Sequence, residues 1–455
     1  MRPVCDFLIA AAMTAILITI AAADDFQAVP QSSRLATVLS ETHAGNARSV
    51  QDFWEEMSEH GTPLVESIAG DPDHVLLTFL WRGDDQTENV VLFSPLTTRT
   101  DSDFSADQLP RAKMTRLPQT NIWYKTFAIR SDVHLSYYLS PNDTLTSASS
   151  RKYPEDWASL QPDPLNPNQL ILPHDGEDWV RSRVDLPGAE PVPWIAPRAD
   201  APKGEMETRF LQSEYLGNER RFWVYTPPAY STTQDPYGLL VLFDGWSYAK
   251  MTPTRTTIEN LLAAGRIDPM VVVMVDQRDR ALELACYDPW NEFLTGELIP
   301  WIQSKYHVST QAADTSVGGG SRGGLAAVCA AWKYPDVFGN VLSQSGYFTW
   351  DPMEETAAYE EELEFERIIR QLATTPIVNV RFVLSVGKLE LDHEFFHSPT
   401  LLQSNRHIRD VLLAKGYDIT YFETPTGHDT YGGIVALPAG LIALADHIRA
   451  QESKP

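Results

Sequence analysis

Cysteine is scarce in this sequence. Three occur in 455 residues, too few for a disulfide framework to carry the fold. Positive charge is scarce as well: 36 Lys and Arg stand against 61 Asp and Glu, a formal net charge of −25. That balance argues against nucleic acid or an anionic membrane surface as a partner. No segment repeats and no tract is of low complexity. The glycine-rich stretch Gly318-Gly319-Gly320 lacks both the lysine of a phosphate-binding P-loop and G-x-G-x-x-G spacing, so it is no nucleotide-phosphate site, and the leading reading takes no cofactor and no metal. What is present is 43% hydrophobic and 10% aromatic residues, enough to bury substantial cores in a chain long enough for two domains.

Residues 1–23 read as a secretory signal peptide. Arg2 leads into the apolar run Phe7 to Ile20, and Ala21-Ala22-Ala23 before Asp24-Asp25 fits the small-residue cleavage rule. The run is short for a membrane span and no stop-transfer pattern follows, so no membrane anchor is expected. Cys5 lies at the start of the segment rather than its end, which argues against lipid attachment. Cleavage leaves Cys286 and Cys329. Both are expected to be free thiols, Cys329 as a buried one on a helix.

Residues 24–185 begin with a helix-like stretch, Gln51 to His60, and then turn β-rich. Val75 to Arg82, Val90 to Phe93, Ile122 to Ile129 and His134 to Leu139 are short apolar or alternating runs between turn residues, the spacing of a β-sandwich. Residues 186–204 are Pro-rich and read as a linker. From 205 to 455 the pattern becomes α/β. Strand-like runs at Arg221 to Tyr225, Leu239 to Phe243, Val271 to Val275, Thr315 to Val317, Val341 to Gln344, Val380 to Val386 and Ile419 to Glu423 alternate with helical stretches. The alternation predicts a doubly wound, mostly parallel sheet covered on both faces.

The chemistry concentrates at three strand ends. Ser321 sits in a G-x-S-x-G turn between a strand and a helix, with Gly319 and Gly323 two residues to either side. A nucleophile elbow needs this arrangement so that a strained serine stands clear of the sheet. After the strand Val380 to Val386 come Gly387-Lys388-Leu389-Glu390, and Asp392 follows. After the last strand comes Gly427-His428-Asp429. The order serine, acid, histidine is that of an α/β-hydrolase, with Ser321 as nucleophile, His428 as base and Glu390 as orienting acid, Asp392 being its rival. The oxyanion is expected on the N–H of Arg322 and on a second N–H at Gly245 or Trp246. A different class is suggested by His393-Glu394-Phe395-Phe396-His397, an H-E-x-x-H pentad. It would make a zinc metallohydrolase through His393 and His397, with Glu423 the one candidate for a third ligand.

Several segments together resemble one family. Thr62-Pro63-Leu64-Val65-Glu66, Phe79-Leu80-Trp81-Arg82-Gly83, Ile122-Trp123-Tyr124-Lys125, Asp163-Pro164-Leu165-Asn166-Pro167, Leu242-Phe243-Asp244-Gly245, Gly323-Gly324-Leu325 and Val341-Leu342-Ser343-Gln344-Ser345-Gly346 are similar to the enterochelin esterases, the ferric-siderophore trilactone hydrolases. The resemblance runs from about residue 50 to residue 440. It implies an immunoglobulin-like β-sandwich ahead of an α/β-hydrolase domain, a ferric catecholate siderophore as substrate, and a place in the periplasm. It maps a catecholate-holding arginine onto Arg280, ahead of Glu283-Leu284-Ala285-Cys286. The chain departs from the family in having Gly320 before the serine and Arg322 after it. For an anionic substrate, Arg278, Arg280 and Arg322 would form a basic mouth, with Trp246, Tyr347 and Trp350 as stacking surfaces. An esterase for acylated carbohydrates or other esters is the alternative, since fold and triad do not fix the substrate.

Overall fold

The computed structural model describes residues 31–98, 108–146, 159–174, 176–351, 364–393 and 398–452. Residues 1–23 and the stretch Glu394 to His397 lie outside these, so the expected signal peptide and most of the H-E-x-x-H pentad are among the residues not described. Ahead of residue 200 run β1 (Leu64–Ile68), β2 (Asp71–Arg82), β3 (Val90–Phe93), β4 (Thr115–Arg116), β5 (Ile122–Arg130), β6 (His134–Pro141), β7 (Gln169–His174) and β8 (Glu177–Asp185). They form two four-stranded sheets, ordered β1-β2-β5-β4 and β3-β6-β8-β7.

Alternation explains why the two sheets meet. Successive side chains of a strand point to opposite faces, so Val75, Leu77 and Phe79 of β2 share one face, as do Leu135, Tyr137 and Leu139 of β6. These two sets, with Val90, Leu92 and Ile129, form a single buried cluster. On the outer face of the first sheet, Leu80 and Ile122 pack with Leu35, Val38, Phe53, Trp54 and Met57 from the helices Ser33–His43 and Ser49–His60.

The second half is built on β9 (Glu205–Ser213), β10 (Asn218–Thr226), β11 (Gly238–Phe243), β12 (Met270–Val275), β13 (Thr315–Gly320), β14 (Asn340–Gln344), β15 (Arg381–Gly387) and β16 (Ile419–Thr424). They make one eight-stranded sheet ordered β16-β15-β14-β13-β11-β12-β10-β9. From β12 to β16 the neighbours are parallel, and β10 and β9 add antiparallel at the other edge. The run Met270-Val271-Val272-Val273-Met274-Val275 has no polar face because both faces are covered. Val271, Val273 and Val275 pack toward Trp290, Phe293 and Leu325, while Val272 and Met274 pack toward Ile258, Leu437 and Leu441. Full burial of each such side chain contributes about 1.5–3 kcal/mol.

The helix Thr430–Glu452 supplies part of the second cover. By length and composition it is apolar enough to cross a membrane, and here its Leu437, Leu441 and Leu444 enter the sheet's core. Strand β9 has a polar pattern with Phe210 exposed, as an edge strand allows, and it leaves no apolar run in the sequence. Between β8 and β9, residues 186–204 form neither helix nor strand. The carbonyls of Trp194 and Ala196 accept the Asn260 side-chain amide, 2.8 Å each, and so tie this segment to the second half.

One expectation is corrected at this level. Cys286 and Cys329 are not free: they form a disulfide across a Cα–Cα distance of 5.4 Å. Cys286 ends the loop after the short helix Arg280–Glu283, and that loop lies against the helix Arg322–Lys333 that carries Cys329. Proximity across 43 positions of sequence was not legible from spacing.

Candidate active site

Strand β13 runs straight into the elbow. Ser321 has φ 56° and ψ −121°, a backbone conformation that L residues rarely adopt, and it caps the helix Arg322–Lys333. The glycines make the turn possible. A Cβ at Gly319 would lie 2.8 Å from the carbonyl carbon of Gly323, and one at Gly324 would lie 2.4 Å from the Ser343 hydroxyl.

His428, on the loop after β16, places Nε2 3.2 Å from the Ser321 hydroxyl oxygen. Its Nδ1 lies 3.1 Å from Oε2 of Glu390, which follows β15. Glu390 is 5% exposed. Its other oxygen accepts the Gly387 N–H at 2.8 Å and the Ser345 hydroxyl at 2.5 Å. Three strand ends thus converge on one chain of hydrogen bonds. Asp392 does not take part: its carboxylate pairs with Arg111 of the amino-terminal half at 3.0 Å.

Ser321 and His428 open onto a cavity of about 510 Å³, lined also by Asp244, Tyr248, Thr254, Arg280, Gln344, Ser345 and Asp429. The Tyr248 hydroxyl donates to the Gln344 side chain at 3.1 Å. Burial, with the Asp244 charge nearby, pushes that hydroxyl well above its ordinary pKa and keeps it a donor. Arg280 enters the lining as expected, but it is paired. Its Nε and Nη2 donate to the two carboxylate oxygens of Asp244 at 2.7 and 2.8 Å. Desolvation works against the Arg280 charge, and the Asp244 hydrogen bonds outweigh it, holding the guanidinium above its ordinary range. Behind it, the buried Arg220 grips Glu283 through two bonds of 2.9 and 2.6 Å, and Glu283 accepts the Arg278 N–H at 3.0 Å. The segment bearing Arg278 and Arg280 is therefore fixed to the sheet.

Other expected positions are corrected. The Trp246 N–H donates to Asp276 at 2.6 Å and is not aimed at an oxyanion. Gly245 itself packs its Cα against the backbone of Met274 and Val275, where a Cβ would lie 2.5 Å from the Met274 carbonyl carbon, and the neighbouring Asp244 lines the cavity. Tyr347 and Trp350 belong to the main core cluster at 5% and 9% exposure, so neither offers a ring face for stacking. Trp246 instead meets His174 edge-to-face at 4.8 Å. The Arg322 guanidinium lies over the Tyr347 ring at 4.7 Å, while its N–H opens the helix, where the helix dipole favours negative charge. His393 turns Nδ1 to the Ser398 carbonyl, and the residues leading to it are not helical. Glu423 is engaged by Arg406. Among the described residues no cluster of three His, Cys, Asp or Glu is placed to hold a metal ion.

Sequence reasoning missed Asp244, Tyr248 and Ser345. Ser345 carries a signal only in retrospect: it follows β14 directly and has φ 49°, the mark of a side chain turned at a strand end.

Known proteins resemble this chain across both of its halves. The Esterase family model matches residues 213–444, and the model described as Enterochelin esterase, N-terminal matches residues 76–195. An iron(III) enterobactin esterase from Dickeya dadantii is 30% identical over 442 residues, covering 90% of this chain and 95% of that protein. An iron(III) salmochelin esterase from Escherichia coli is 27% identical, covering 79% and 86%. The crystal structure of an enterobactin esterase from Shigella flexneri, solved in the presence of enterobactin, superposes with a TM-score of 0.66 at 26% identity, covering 87% of this chain and 97% of that one.

Proposed function

Because this chain belongs to the enterochelin esterase family, we propose that it is a serine esterase that hydrolyses the trilactone of ferric tris-catecholate siderophores of the enterobactin or salmochelin type. The observation that carries the serine mechanism is the unbroken contact from Ser321 through His428 to Glu390, 3.2 and 3.1 Å. Ser321 Oγ attacks a seryl ester carbonyl as His428 Nε2 accepts its proton. The alkoxide of the developing intermediate forms against the Arg322 N–H at the helix start. His428 then returns the proton to the leaving serine oxygen, and a water repeats the sequence to free the acyl group. Glu390 holds the ring by Nδ1 and balances the imidazolium. Once the macrocycle is cut, the three catechol arms are no longer preorganised about iron and chelation weakens.

The same reading takes the two facing four-stranded sheets as an immunoglobulin-like β-sandwich over residues 24–185, residues 186–204 as a linker and residues 205–455 as the α/β-hydrolase domain. It also takes residues 1–23 as a signal peptide and the periplasm as the compartment. The Cys286–Cys329 disulfide supports export, since such bonds persist in oxidising surroundings. N-terminal sequencing of exported protein should begin near Asp24.

The deciding experiment incubates the mature enzyme and its Ser321→Ala variant with ferric and iron-free tris-catecholate trilactones and follows linear products by mass. Parent enzyme should linearise the ring. The variant, with the elbow's glycines intact, should lose nearly all turnover, and a variant that still cuts the ring would remove Ser321 from the chemistry.

A further inference from the structure

Three contacts join the loop that carries His428 to the amino-terminal sheets. The His134 N–H donates to the Pro425 carbonyl at 3.0 Å. Gly427 packs so tightly on Pro95 that a Cβ would sit 2.1 Å from the proline's own Cβ. The Asp429 carboxylate accepts, on Oδ2, both the N–H and the hydroxyl of Ser136 on β6, each at 2.7 Å. Its Oδ1 accepts the Gly432 N–H at 2.8 Å, capping the start of the helix Thr430–Glu452. Asp429 is 8% exposed and Ser136 fully buried. These charge-assisted bonds therefore form away from water, where they are strong and where losing one partner leaves a buried group unsatisfied.

We propose that Ser136 and Asp429 are positioning residues for His428, so that the amino-terminal sheets are part of the catalytic apparatus and not a separate module. The proposal rests on the reading of Ser321 as nucleophile and His428 as base. Within the second half the loop is held before the histidine by the Leu389 N–H on the Thr426 carbonyl, 3.0 Å, and after it by the helix. Gly427 and His428 lie between these two anchors. On the far side Gly427 meets Pro95, for which the glycine leaves room, and Asp429, the residue after His428, meets Ser136. A carboxylate that caps a helix with one oxygen and grips the opposing sheet with the other sets where that helix begins relative to β6. The histidine one residue earlier moves with it. Proton transfer from Ser321 depends on that placement, since a displacement of about 1 Å can cost on the order of 100-fold in rate.

The test uses the full chain with Ser136→Ala, Ser136→Thr, Asp429→Asn and Ser321→Ala, measuring kcat and KM on p-nitrophenyl acetate together with thermal unfolding. Ser136→Ala removes one oxygen and should lower kcat about tenfold with KM within about twofold, and Ser136→Thr, which keeps the hydroxyl, should recover most of the loss. Asp429→Asn keeps an acceptor for Gly432 but turns an amide donor toward the Ser136 N–H. It should lower kcat roughly 100-fold, again with little change in KM. If Asp429→Asn does not fold, the Ser136 pair alone decides. Unchanged kcat in folded Ser136→Ala and Asp429→Asn, beside an inactive Ser321→Ala, would show a purely structural contact and overturn the proposal while leaving the esterase mechanism standing. Turnover by Ser321→Ala would remove the mechanism and the proposal with it.

Discussion

Asp244 holds Arg280 by both carboxylate oxygens at the rim of the cavity, so the cation expected to meet an anionic substrate already has a counter-ion. Asp244 itself sits at φ 57° where β11 ends, and the Gln277 side-chain amide also donates to it. The pair is partly open to water, the guanidinium side chain being 43% exposed. Its attraction is therefore screened, roughly 1 kcal/mol or less by analogy with exposed ion pairs.

Substituting either partner should separate anionic from neutral substrates. Arg280→Gln should raise KM for the ferric siderophore about fivefold and leave a small neutral ester unaffected, because its Nη1 edge is not used by Asp244. Asp244→Asn should lower KM for the ferric form, more so at low salt, where screening reaches less far. Equal effects on neutral and anionic esters would make the pair structural and remove Arg280 from substrate binding.

Glu390 and Asp392 lie two residues apart and face different partners, so their variants should diverge. Glu390→Gln keeps the shape but loses the imidazolium's counter-charge and the fixed tautomer, and kcat should fall by about 10⁴. Asp392→Asn gives up a surface pair with Arg111, 47% exposed on the arginine side, and should leave kcat within about twofold. The reverse ranking would transfer the acid's role to Asp392.

What the sequence revealed and what it hid follow from the range of the interactions. Ser321, Glu390 and His428 were legible because each follows an apolar strand run within a few residues, so local pattern placed it at a strand end. The acid was left between two neighbours, and only the fold separates a buried Glu390 from an Asp392 turned to Arg111. Tyr347 and Trp350 were misread because an aromatic beside a strand end looks the same whether it lines a cavity or fills a core. The Ser136–Asp429 contact spans 293 positions, and although Asp429 closes the Gly427-His428-Asp429 loop, nothing local pairs it with Ser136. Strands β7 and β8 went unread as well, since their alternation is interrupted by Pro173 and by charged residues at the hairpin.

The stability of the second half should depend on pH through His447. This imidazole receives the Thr420 hydroxyl at 2.6 Å or donates to it, according to tautomer. Burial, the leading cause, holds its pKa below 6.5, although the Asp418 charge pulls the other way. The folded state thus binds a proton less readily than the unfolded chain. Stability is full above about pH 6.5 and declines as pH falls toward the depressed folded value, with a slope of at most about 1.4 kcal/mol per pH unit from this group. His447→Gln should flatten urea midpoints between pH 5 and pH 7. An unaltered slope would mean that other groups govern this range.

The disulfide gives the last prediction. Cys286 and Cys329 close a loop with a sequence separation of 43, and a loop of that size restricts the unfolded chain enough to contribute about 2–4 kcal/mol. The double variant Cys286→Ala, Cys329→Ala should therefore lose stability on that scale in urea titrations. Activity on a small neutral ester should survive, because Arg220 and Glu283 still anchor the segment of Arg278 and Arg280 through a buried pair, and Ser321 is set by its own elbow. Substrate charge should reveal the difference. With the tether gone the far end of the segment, at position 286, is held less firmly, so KM for the ferric siderophore should rise while kcat on the neutral ester holds. Thiol titration of unreduced mature protein decides the premise: two reactive thiols after denaturation would mean that the bond is not formed, and its share of the stability would have to be sought elsewhere.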